Sequence, residues 1–148
     1  MELKDILSQE RTRCHLEATS QKRALQEAAT IIADEYKHLS EDEIFENLIE
    51  REKKGSTAIG YGIAIPHCRM KYCNEIVCGL FRLSQAIDFN AFDGESVKLL
   101  FVLIVPEDET NAHIETLAML AKKLDSEAYR QKLLSADTDL SLFREATS

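Results

Sequence analysis

Pro66-His67-Cys68-Arg69 ends an apolar, glycine-punctuated segment that starts at Gly55, and the residues most able to do chemistry lie in or near it. The proline ring fixes φ at Pro66, so the imidazole of His67 is held on short, stiff backbone at the edge of a sheet. That placement suits a nucleophile or a ligand. Imidazole is also partly neutral near pH 7 and can then attack an electrophile without a separate base. His113 falls in the expected first turn of a helix, just beyond the carboxyl end of the most apolar stretch of the chain. Free N–H groups at a helix start favour an anion, and the helix dipole there favours neutral imidazole over imidazolium. Arg51 opens the run Arg51-Glu52-Lys53-Lys54 before Gly55, and its planar donor fork suits phosphoryl oxygens. Ser56 and Thr57 add two hydroxyls that could donate to a phosphate oxygen. Each position also has a plain structural reading: a hydrogen-bonded histidine, a solvated first-turn residue, a basic last turn that complements the helix dipole, a pair of capping hydroxyls.

Other chemistries fit less well. Adjacent residues of an extended segment point to opposite faces, so His67 is badly placed to serve as base for a Cys68 nucleophile. Cys14, Cys68, Cys73 and Cys78 lack the paired close spacing of structural zinc sites, and they read as reduced, buried thiols with no metal. The only Gly-x-Gly, Gly60-Tyr61-Gly62, runs into Ile-Ala-Ile-Pro instead of a helix, and no GxxxxGK[ST] loop is present. No cofactor is therefore expected.

The elements that must position these residues alternate between helix and strand. Ala24, Leu25, Ala28, Ile31 and Ile32 recur at helical spacing behind a capping Ser20, and a helix to about Tyr36 is expected. Ser40 with Glu43 has the capping-box pattern, Ile44, Phe45, Leu48 and Ile49 supply a stripe, and Gly55 is a stop. Thr57 to Ile65 reads as two short strands around Gly-Tyr-Gly, ended by Pro66. Ile76–Leu83 is a further strand, and Lys98–Val105 is apolar enough to be a central strand covered on both faces. Beyond an acidic loop, Thr110 is the expected cap of a helix with the stripe Ile114, Leu117, Ala118, Ala121 and Leu124. Two short helices are expected near Glu127–Leu134 and Leu140–Glu145. The pattern predicts an α/β fold: a single-domain three-layer α/β/α sandwich, residues 19–148, around a mixed sheet of about five strands. Residues 1–18 have weak periodicity and read as a loosely attached N-terminal arm.

The chain has 148 residues, and its 26 acidic against 18 basic side chains give a formal net charge of −8. That charge repels phosphate backbones and anionic lipid, so no nucleic-acid partner and no membrane insertion are expected. No stretch approaches the roughly 18–20 apolar residues of a bilayer span, and the N-terminus lacks a secretory pattern, which places the chain in the cytoplasm.

Ile59-Gly60-Tyr61-Gly62-Ile63-Ala64-Ile65-Pro66-His67-Cys68, with Glu52 seven residues before Ile59, resembles the phosphorylation-site signature of the type-2 IIA (fructose/mannitol-like) components of the bacterial phosphoenolpyruvate-dependent phosphotransferase system. Arg51 to Thr57 before it, and Leu100 to Pro106 and His113 to Leu117 after it, continue the likeness over about residues 20 to 145. Tyr61 and Cys68 stand where the nitrogen-regulatory branch of the family commonly carries Asn and Gly. The resemblance implies the IIA fold and a phosphotransferase component that works through a phosphohistidine. It implies that His67 accepts phosphate from an HPr-like (NPr) phosphocarrier protein and that Arg51 and His113 flank it. It further implies partners chosen by phosphorylation state, such as regulated transporters or sensor kinases in nitrogen, potassium or carbon regulation. The alternatives are a sugar-uptake IIA that passes its phosphate to a separate IIB domain and, more distantly, a binding module never phosphorylated.

Overall fold

The computed structural model describes residues 1–148 apart from the Thr110 side chain. After a short turn at Leu3–Asp5, the chain runs β1 (Leu7–Leu16), α1 (Gln21–Glu35), α2 (Glu41–Lys53), β2 (Ala58–Gly60), β3 (Ile63–Ala64) and β4 (His67–Met70). It continues through β5 (Val77–Ile87), β6 (Val97–Pro106), α3 (Thr110–Leu124), α4 (Glu127–Ser135) and α5 (Asp139–Thr147). The strands form one open mixed sheet in the order β1-β5-β6-β3-β2, with β4 also paired to β6. β5 runs antiparallel to β6, whereas β3 and β4 run parallel to it.

β6 lies at the centre because its side chains can be satisfied only by apolar cover on both faces. Leu100, Val102 and Ile104 turn into one core with α1 and α2, and Leu99, Phe101, Leu103 and Val105 turn into a second core with α3, α4 and α5. This strict alternation produces the three layers expected from the sequence. Backbone amides from Leu99 to Leu103 are expected to exchange with solvent only through global unfolding, and rapid exchange there in a hydrogen-exchange measurement contradicts the assignment.

The helix starts follow from local chemistry. The Ser20 and Ser40 hydroxyls accept from the Arg23 and Glu43 N–H groups at 3.1 and 3.2 Å, satisfying donors that the first turns of α1 and α2 leave open.

Three expectations need correction. Residues 1–18 are not a loose arm. Leu7–Leu16 is a strand paired parallel to β5, from Leu7 opposite Cys78 to Leu16 opposite Leu83. Its periodicity is hidden because the register shifts twice along the pairing and because Arg11 and Thr12 are buried. Arg11 is tolerated there because its guanidinium pairs with Glu35 on α1 and donates to the Ile6 and Cys78 carbonyls at 2.8 and 2.9 Å. Arg82 on β5 is likewise buried and donates to the Cys14, Leu133 and Ala136 carbonyls, fastening β1 and the end of α4 to the sheet.

The sheet has six strands rather than about five, and Pro66 does not end the ladder. Proline lacks a donor but keeps an acceptor, and the Leu103 N–H donates to the Pro66 carbonyl at 2.9 Å, so β4 begins at once beside β6.

α3 is also turned about its axis relative to the expected stripe. Ile114 is 60% exposed and Ala118 and Ala121 face solvent, while Thr116, Leu120 and Leu124 are buried. Thr116 can point inward because its hydroxyl donates to the Ala112 carbonyl at 2.7 Å, one turn back. The capping position is Glu109, with Thr110 the first helical residue.

Candidate functional site

β4 carries the first side chain of the site. With His67 opposite Leu103 on β6, the alternation of an extended strand sends Cys68 and Met70 into the core under α1 and α2. His67 and Arg69 therefore project to the other side, toward α3. The rotation of α3 that buries Thr116 and Leu120 also turns His113 inward, because 113, 116, 120 and 124 share a helical face. The rings of His67 and His113 meet edge to face, with centroids 4.9 Å apart and planes at 62°.

Arg51 comes from the last turn of α2, which packs over β4. Its Nη1 donates to the Gly55 carbonyl at 2.8 Å, so the side chain folds over the end of its own helix. A cleft of about 540 Å³ is lined by Glu50 and Arg51 from α2, Lys54 at its C-cap, His67 and Arg69 from β4, and His113 from α3. Three fixed cations against one carboxylate make this cleft locally positive on a chain whose net charge is −8. Such a cleft concentrates an anion.

The protonation of His67 follows from one contact. Its Nδ1 lies 2.7 Å from the Ile65 carbonyl, which can only accept, so Nδ1 carries the proton and Nε2 keeps its lone pair. Burial holds the His67 pKa below the ordinary 6.5, with smaller contributions from the Arg51 and His113 charges, against the opposing pull of the Ile65 hydrogen bond. His113 is lowered as well, first by burial and then by the Arg69 and Arg51 charges. Both rings are mainly neutral at pH 7. The His113 Nε2 is buried without a hydrogen-bond partner among the described residues, an arrangement that costs free energy unless a partner is supplied.

Other candidates from the sequence are engaged elsewhere. The Ser56 hydroxyl donates to the Phe89 carbonyl at 2.6 Å and accepts from the Ala58 N–H at 3.1 Å. The Thr57 hydroxyl donates to the Glu52 carboxylate, which also accepts from the Thr57 N–H and from Gln21 Nε2. The Thr57 bonds hold the end of α2 to the start of β2, the Ser56 bond ties that loop to the segment after β5, and neither hydroxyl lines the cleft. The correction has a local cause: both hydroxyls satisfy loop groups that would otherwise be buried and unpaired. Burial pushes the Cys68 thiol up to about 12, so it stays protonated and is not a nucleophile. Among the described residues, no cluster of three or more His, Cys, Asp and Glu side chains could hold a metal ion. No helix there is long and apolar enough to cross a membrane. The sequence pattern does not single out Arg69, although its position two residues beyond His67 on an extended segment is the signal that places both on one face.

The arrangement suits attack by the His67 Nε2 on an electrophilic, anionic group, with donors at its edges. Residues 5–145 match the family described as phosphoenolpyruvate-dependent sugar phosphotransferase system, EIIA 2. The nitrogen regulatory protein of Pseudomonas aeruginosa is 42% identical over 142 residues, covering 96% of this chain and 92% of that protein. The crystal structure of nitrogen regulatory protein IIA-Ntr from Neisseria meningitidis has a TM-score of 0.90 and 34% identity, with 97% of each chain covered. Enzyme IIA-mannitol of Escherichia coli, in its complex with phosphorylated enzyme IIB-mannitol, has the same fold at a TM-score of 0.77 and 16% identity, over 95% of this chain and 98% of that one.

Proposed function

The chain belongs to the EIIA type-2 family of the phosphoenolpyruvate-dependent sugar phosphotransferase system, and from that premise we propose that it is a phosphohistidine carrier with His67 as acceptor. The observation that carries this reading is the Nδ1 hydrogen bond from His67 to the Ile65 carbonyl, which directs the Nε2 lone pair into a cation-lined cleft.

In the transfer, the bond between phosphorus and the donor's nitrogen breaks as the bond to His67 Nε2 forms. The acceptor ring gains positive charge, and the Ile65 carbonyl is already placed to stabilise it through the Nδ1 proton. No proton needs to leave His67. Arg51 and His113 meet the phosphoryl oxygens, whose charge shifts during transfer, and an oxygen near His113 supplies the partner that its Nε2 lacks. For that bond the His113 Nε2 must carry the proton, which places its lone pair on Nδ1. Positioning and charge neutralisation are the main demands of phosphoryl transfer, and a rigid strand start plus two fixed donors supply them.

The donor in this reading is an HPr-like (NPr) phosphocarrier in the cytoplasm, and the phosphorylated and free forms bind different transporters or sensor kinases. The likeness to proteins named nitrogen regulatory protein over nearly the whole chain favours this regulatory output over sugar uptake through a separate IIB. Incubation with phosphoenolpyruvate, the system's first enzyme and its phosphocarrier is expected to add one acid-labile, base-stable phosphoryl group, seen by intact mass and mapped to the peptide containing His67. No uptake, or a stable phosphate elsewhere, overturns the proposal.

A further inference from the structure

We propose that Arg69 is a further catalytic residue of this site, its guanidinium receiving the phosphoryl oxygens as the group arrives at His67 Nε2. The proposal rests on the phosphocarrier reading above and adds a residue to it.

Strand geometry puts Arg69 on the same face as His67, with Cα atoms about 6.6 Å apart at the usual rise per residue. That separation lies within the reach of an arginine side chain, and both residues line the one cleft. The backbone beneath Arg69 is fixed, because its carbonyl accepts from Asn47 Nδ2 on α2 at 3.2 Å. Among the described residues its guanidinium makes no hydrogen bond and no ion pair, and the side chain is exposed. Arg51, by contrast, already commits one N–H to the Gly55 carbonyl.

The cleft therefore contains one guanidinium braced over the end of a helix and one with all its donors open. The charges of Arg69 and Arg51 both oppose protonation of His113, and those of Arg51 and His113 oppose protonation of His67, so Arg69 acts on the cleft from the side of His113. An uncommitted fork at the mouth of a cleft can bind two oxygens of an incoming phosphoryl group and follow them through the transfer. Arg69 touches only the non-bridging oxygens. The bond broken and the bond formed remain those to the donor nitrogen and to His67 Nε2, and no proton moves to or from Arg69.

The test compares wild type, Arg69→Ala and Arg69→Lys in single-turnover transfer from the phosphorylated carrier over a range of carrier concentrations. Arg69→Ala is expected to lower the limiting rate at saturating carrier by about tenfold or more, with part of the loss recovered in Arg69→Lys. A limiting rate equal to wild type, with only the half-saturating concentration raised, overturns the proposal by making Arg69 a contact for the carrier's surface. A second measurement does not depend on transfer: inorganic phosphate is titrated while the ring-proton resonances of His67 and His113 are followed by NMR. Wild type should respond at phosphate concentrations at least about tenfold lower than Arg69→Ala, as expected for loss of a charge-assisted contact. Equal responses overturn the proposal. If wild type takes no phosphate from the carrier, the phosphocarrier reading fails, and the titration still decides whether Arg69 binds the anion.

Discussion

His67→Ala should abolish phosphoryl uptake completely, not merely slow it. No neighbouring group replaces the lost nucleophile. In this arrangement the His113 Nε2 carries a proton and acts as a donor, not a nucleophile, and the Cys68 thiol is directed into the opposite core and held protonated. Intact-mass spectrometry after incubation with phosphoenolpyruvate and the two upstream proteins reads the result directly, and a phosphoryl gain persisting in His67→Ala removes His67 from its role. The same residue fixes the pH dependence. Burial lowers its pKa from 6.5, so the unprotonated nucleophile predominates at pH 7, and it is lost only as pH falls below 6.5. An NMR titration of the His67 ring in wild type should therefore show its midpoint below 6.5. A midpoint at or above that value contradicts the electrostatics of the cleft.

The second large effect is expected at the two flanking donors. Removing one donor that meets developing charge in a transition state costs about 10²–10³ in rate, and Arg51→Ala and His113→Ala should each show a loss of that order in transfer from the carrier. Arg51→Lys should remain impaired, because an ammonium retains the charge but cannot both brace the Gly55 carbonyl and offer a planar pair of donors to the phosphoryl group. His113→Ala should keep its fold, since His113 makes no side-chain hydrogen bond that the packing of α3 requires. Circular dichroism is the folding control for all three variants. Wild-type rates in both alanine variants mean that His67 works without them.

The parts legible in the sequence were those set by near neighbours in the chain. A serine three residues before an open N–H announces a helix start, as at Ser20 and Ser40, because donor and acceptor lie within one turn. The strand Val97–Pro106 was readable because a segment apolar at nearly every position needs cover on both faces. The Pro66-His67 placement belonged to this class too, since a fixed φ acts at the residue itself.

Sequence alone thus determined the layered α/β architecture, the two capped helices and the central strand through interactions spanning at most a few residues, whereas the proposed acceptor role of His67 rested on the likeness of Ile59 to Cys68 to the family signature. Tertiary structure decided the rest. It made Leu7–Leu16 a strand by pairing it with β5 about seventy residues away, and it let buried Arg11 interrupt the apolar pattern by supplying carbonyls and Glu35. It rotated α3 so that His113 meets His67, a choice made by packing against the sheet and not by the helix's own hydrophobicity. It drew Ser56 and Thr57 into loop contacts and left Arg69 open in the cleft. Which atoms come within a few ångströms of the His67 Nε2 depends on how β4, α2 and α3 pack together, and no local propensity in the chain encodes that distance.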